Sequence, residues 1–251
     1  MNERLNVSKP QEHLNLNIKG ARPIIASIGT QDDFGEELGL IEEYFKESDR
    51  AHNINWGGLT TEFERKKFLN AGAGTYVIST IDDFDKFSQN FYECTGLVVT
   101  GIEKSTGENI SLMSHQNPGT FLHDKPEEFA AHLLGRLAEI KRRCVPGTID
   151  AIIIGGKDIP KPEPATEDSD MIPWYLGSIK LLGKEVQNIL GFEPVVINGP
   201  KISSGSDDIY YDNANRRLYF VRGVGNPGAK INPNVGGFVP SDVDKHKDKW
   251  K

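Results

Sequence analysis

Cys94 and His115 are the two residues whose types and spacing could do chemistry together. A thiol attacks an acyl carbon as the thiolate, and a free cysteine with a pKa of about 8.5 is mostly protonated at neutral pH unless a neighbouring base takes its proton. A histidine beside it would take that proton, stabilise the thiolate as an imidazolium, and return the proton to a leaving amine. Taken singly, a free cysteine is usually a small buried hydrophobe and a lone histidine a hydrogen-bonded core residue. The pair carries chemistry only if the fold joins them.

The elements around them predict that it does. TGLVVTGIE and ISLMSH are two β-runs joined by the Gly-containing KSTGEN, a hairpin whose first strand Cys94 opens and whose second His115 closes. Antiparallel strands return beside each other, so twenty-one residues of separation become proximity at one sheet edge. Downstream, Phe129, Leu133, Leu137 and Ile140 recur at helical spacing over 125–143 until Val145-Pro146-Gly147. TIDAIIIGG reads as a buried strand, KDIPKPEPATEDSD as an exposed loop, and 175–190 as an amphipathic helix ending at Gly191. EPVVING, DIYYD and RRLYFVRG read as short closing strands.

Upstream, Phe34, Leu38, Ile41, Tyr44 and Phe45 predict a helix over 32–48, and TEFERKKFL a second short one. TYVIST, after NAGAG, reads as the first central strand. Phe84, Phe87 and Phe91, three and four apart, predict a short helix over 82–92 leading to Cys94. Residues 1–73 are expected to form a polar arm and helical extension, 74–223 the α/β domain, and 224–251 a surface tail. There is no internal repeat.

Composition narrows the function classes. The chain has 251 residues, enough for one domain with a sizeable core. A net charge of -7 gives no overall attraction to nucleic acid or anionic lipid, and no apolar run approaches a membrane span. The N-terminus has no apolar signal segment, so the expected location is cytoplasmic, with export by a specialised secretion machine left open. Two cysteines do not form a disulfide framework, and neither CxxC nor HExxH occurs, so no metal or other cofactor is expected.

The order of elements, with CTGLVVTGIEKSTGENISLMSHQNP, AIIIGG, YLGSIKLLGKEVQNILGFEPVVINGPK and RRLYFVRG, resembles the CheD chemoreceptor glutamine deamidases over residues 79–223. The same Cys and His core is shared by the cytotoxic necrotizing factor and Burkholderia lethal factor deamidases, so an effector or toxin role is compatible with it. The resemblance implies an α/β (α+β) layered sheet with flanking helices, and a thioester mechanism that turns a protein glutamine into glutamate. It also implies that a hydroxyl six residues before the cysteine holds the histidine, which here is Ser88. The family favours small residues before the cysteine, whereas this chain has Phe91-Tyr92-Glu93. The expected partner is a protein with an exposed glutamine. Rival readings are a CheD-like binding module without catalysis, and another thiol enzyme such as a cysteine protease or transglutaminase.

Other polar residues have simpler readings. Gln116 and Asn117 suit a strand-end turn. Cys144, at a helix C-terminus that disfavours a thiolate, reads as structural. Gly155 and Gly156 lack the lysine and hydroxyl of a phosphate loop, and Glu163, Glu167, Asp168 and Asp170 lack calcium-loop spacing. His123 or His132 would replace His115 only in another hairpin register. Lys201, Arg216, Arg217 and Arg222 give the C-terminal strands a basic character that could meet an acidic partner, or simply be scattered surface charge.

Overall fold

A computed structural model describes residues 23–55, 68–69, 75–92, 94–124, 126–155, 171–199 and 205–224. Two five-stranded mixed sheets lie face to face, and each carries helices on its outer face. The first sheet orders β1 (Ile25–Thr30), β10 (Arg217–Val224), β9 (Gly205–Asp212), β4 (Asp85–Phe91) and β2 (Ala51–Asn53). The second orders β3 (Tyr76–Ile78), β6 (Asn109–Gln116), β5 (Thr95–Ile102), β7 (Asp150–Ile154) and β8 (Val195–Ile197). The fold is thus a layered α/β architecture with both sheets buried at their shared face.

Alternation along each strand sorts side chains between layers. On β5, Leu97 and Val99 face the helices while Val98 faces the other sheet; on β6, Leu112 and Met113 divide the same way. The outer helices of the second sheet are α3 (Pro118–Asp124), α4 (Pro126–Arg143) and α5 (Met171–Leu190), and α4 buries the predicted stripe of Phe129, Leu133, Leu137 and Ile140. Glu127 and Glu128 in its first turn and Lys141, Arg142 and Arg143 in its last complement the helix dipole. Each large apolar side chain buried in these layers contributes roughly 1.5–3 kcal/mol.

The predicted helix over 32–48 is two helices, α1 (Gln31–Phe34) and α2 (Glu36–Glu47), because Gly35 takes φ 52 between them. Both cover the outer face of the first sheet through Phe34, Leu38, Ile41 and Phe45. Residues 25–53 are woven into that sheet: β1 runs parallel to β10 and β2 parallel to β4. TYVIST supplies β3, an edge strand beside β6 rather than a central one. The readings for 1–21, TEFERKKFL, NAGAG, the acidic loop and the C-terminal tail lie outside the described residues.

The largest correction falls on 82–92, where the structure has strand β4 instead of a helix. Phe87 packs on α2 in the outer layer while Phe91 packs between the sheets, so the phenylalanine spacing serves two cores. A regular strand would put Ser88 and Phe91 on opposite faces. A register shift between them, with Asn90 at φ 63, turns both toward the second sheet. Asn tolerates that left-handed conformation better than most residues, and its N–H is held by Asp208 at 2.8 Å.

Candidate active site

The hairpin forms as predicted, with Gly96 opposite His115 and Thr95 opposite Gln116. Cys94 immediately precedes β5, and His115 is the penultimate residue of β6. Cys94 packs in the core between the sheets, and His115 faces the same layer, since its hydrogen-bond partner Ser88 reaches it from the opposite sheet. Ser88 Oγ lies 2.7 Å from His115 Nδ1. All three candidate residues therefore come to the same layer.

The hydrogen bonds assign the histidine tautomer. The backbone N–H of Gln89 donates to Asn55 Oδ1 at 2.8 Å, so that amide atom is an acceptor. Ser88 Oγ, 2.5 Å from the same oxygen, must donate its only proton there. Toward His115 the hydroxyl can then only accept, which places the imidazole proton on Nδ1 and the basic lone pair on Nε2. Neither Asn55 nor its role carries a sequence signal, because AHNINWGG reads only as a turn.

Phe91 stacks on the imidazole with ring centroids 4.0 Å apart and planes 16° from parallel. Gly96 makes room for this ring: a Cβ there would stand 2.8 Å from Phe91 Cε1 and 2.6 Å from the Ser114 carbonyl oxygen. Burial pushes the His115 pKa down to about 3, so the resting imidazole is neutral. Burial thus works against a standing thiolate–imidazolium pair. Cys94 is 7% exposed and His115 4%, so both side chains are nearly buried.

The remaining candidates fall elsewhere. Gln116 faces the helical layer and donates to Thr95 Oγ1 at 3.1 Å, while Asn117 Oδ1 accepts from Gly119 N–H at 3.0 Å and caps α3. His132 Nδ1 lies 2.8 Å from Tyr76 Oη, on the helical side of the second sheet, away from Cys94. The side chain of His123, and Glu93, Gly156, Glu163, Glu167, Asp168, Asp170 and Lys201, lie outside the described residues. Cys144 is fully buried against Gly101, and burial raises its pKa to about 11. Arg216 and Arg222 are buried rather than surface charges: Arg216 Nε donates to Asn109 Oδ1 at 2.9 Å, and Arg222 Nη2 to the Asn198 carbonyl at 2.7 Å.

A separate polar cluster ties the sheets further along β4. The fully buried Lys86 Nζ donates to Asp82 Oδ1 at 2.9 Å, the Phe84 carbonyl at 2.8 Å and Ser111 Oγ at 3.0 Å. His52 Nε2 meets the other Asp82 oxygen at 2.9 Å. Among the described residues no group of His, Cys, Asp and Glu could hold a metal ion, and no helix is long and apolar enough to cross a membrane. Compared with protein-family models and with curated proteins, the chain matches none.

Proposed function

We propose that the chain is a cysteine-dependent hydrolase of the CheD-like deamidase type, acting on the carboxamide of a protein glutamine. The observation that carries this reading is the oriented His115: Ser88 holds Nδ1–H at 2.7 Å, leaving Nε2 as the base on the layer that holds Cys94. A hydroxyl from a different sheet, fixed in turn by Asn55, is more positioning than a merely packed histidine requires.

Cys94 attacks the carboxamide carbon as its thiol proton passes to His115 Nε2. Because burial disfavours the imidazolium, that transfer accompanies attack rather than preceding it. The tetrahedral intermediate collapses with C–N cleavage, and the leaving nitrogen takes the proton from the imidazolium and departs as ammonia. Water, deprotonated by His115 Nε2, then attacks the thioester carbon; the C–S bond breaks to release glutamate, and the imidazolium returns its proton to the sulfur to regenerate the thiol.

A second reading keeps this fold as a binding module, and the near-complete burial of Cys94 and His115 favours it. Iodoacetamide labelling of the folded protein separates the two. A catalytic Cys94 labels much faster than Cys144 and slows in His115→Ala; labelling that waits for unfolding leaves the binding module. Ammonia release from a glutamine-containing protein, without new chain termini, then separates deamidation from proteolysis.

A further inference from the structure

At the end of the sheets that holds Cys94 and His115 lies a buried carboxyl group with no role in the steps above. Asp207 is fully buried, and among the described residues neither of its carboxyl oxygens has a hydrogen-bond donor. Its strand β9 turns Ile209 and Tyr211 into the layer between the sheets, and Asp207 shares their face. It stands opposite Phe91 in the β4–β9 register, and Phe91 is the ring stacked on His115. On its other side it pairs with Arg222, whose Nε is 3.8 Å from Oδ1, beyond hydrogen-bond reach.

Asp207 and Arg222 form a buried ion pair that leaves both carboxyl oxygens without a hydrogen bond among the described residues. Folding rarely leaves a buried carboxyl without donors, since the lost hydration is not returned. Arg222 is committed to the Asn198 carbonyl, and Asn198 Oδ1 in turn accepts from Tyr175 Oη at 2.7 Å. Asn198 follows β8 and Gly155 follows β7, at the sheet end where β5 begins. The layer between the sheets thus holds, at the end where Cys94 and His115 lie, an acceptor without a hydrogen-bond donor among the described residues.

We propose that Asp207 is the specificity-determining residue of this site, accepting N–H bonds from the primary carboxamide of the substrate and rejecting the isosteric carboxylate. The assignment rests on Cys94 acting as the nucleophile. An ionised Asp207 attracts the amide N–H donors and then repels the product carboxylate formed in the same place, so one group both selects the substrate and favours product departure. Burial raises the Asp207 pKa to about 7 against the pull of Arg222, with the neighbouring Asp208 adding to the rise.

Two alkylating reagents of nearly equal shape test this. Iodoacetamide carries the carboxamide and iodoacetate the carboxylate, and mass spectrometry reads each rate at Cys94 against N-acetylcysteine. The wild type should prefer iodoacetamide beyond the free-thiol baseline, and D207N should lower that preference by about tenfold, the worth of one charge-assisted hydrogen bond. In the wild type alone, which needs no folded variant, the preference should also rise from about pH 6 to about pH 8 as Asp207 ionises. Arg222 and Asp208 are the charged groups beside it, and His115, behind Phe91, stays neutral throughout. Labelling of Cys94 with a preference insensitive to pH and to D207N overturns the Asp207 assignment and leaves the thiol reading standing. Failure of the native protein to label at Cys94 overturns both.

Discussion

Ser88 on β4 and His115 on β6 are joined by a 2.7 Å hydrogen bond that crosses from one sheet to the other. Because Asn55 takes the only Ser88 proton, the bond orients the imidazole and selects its tautomer at once. The stacked Phe91 ring closes one face of the same imidazole.

Removing the Ser88 hydroxyl should therefore act through His115. Ser88→Ala strands a buried N–H, with an expected stability loss of about 1–3 kcal/mol in urea denaturation. Cys94 labelling by iodoacetamide should fall by about tenfold as the imidazole loses its orientation, and Ser88→Thr, which keeps the hydroxyl, should restore it. Equal labelling in all three proteins would remove Ser88 from any positioning role.

Gly96→Ala places a methyl group against Phe91 and the Ser114 carbonyl. The expected cost is about 1–3 kcal/mol from overpacking, with a shift in the midpoint of thermal unfolding. Replacing Phe91 by Leu in the same chain should recover part of the loss. Full additivity of the two substitutions would mean that the glycine and the ring are not coupled.

The charge state of His115 makes a signed prediction. Its folded pKa of about 3 lies below the ordinary value of 6.5, so the folded state resists a proton that the unfolded chain accepts. Its contribution is fully present above pH 6.5 and is lost as pH falls toward 3. Urea midpoints of wild type and His115→Gln, compared at about pH 7 and about pH 4.5, should show the difference moving in favour of the variant at the lower pH. A difference that does not change with pH contradicts a neutral buried imidazole.

Lys86 is held by Asp82, Ser111 and the Phe84 carbonyl, with no exposure of its side chain. Lys86→Met removes the cation but leaves the carboxylate, and should cost about 3–5 kcal/mol. Pairing it with Asp82→Asn should return a substantial part of that loss. A mild effect of Lys86→Met alone would show that His52 suffices to hold Asp82.

Much of the architecture was legible because it depends on local periodicity. The β5–β6 hairpin, α4, β7 and the strand runs that close the chain each carry a two-fold or 3.6-fold pattern with a turn residue at its end, and both Cys94 and His115 follow from that hairpin. The β4 strand was not legible, because Phe84, Phe87 and Phe91 match a helical period while the strand distributes them through a bulge. Periodicity says that a face is apolar and is silent on what covers it.

The sequence by itself determined which segments pair with their immediate neighbours and that a thiol and an imidazole would share one end of a hairpin. Only the tertiary structure decided that a second sheet, built partly from residues 25–53, covers that end and brings Ser88, Asn55, Phe91 and Asp207 to it. The reason is physical: hydrogen bonds between sheets join residues far apart in the chain, and the charge of a buried His115 or Asp207 reflects the sum of everything that excludes water from it.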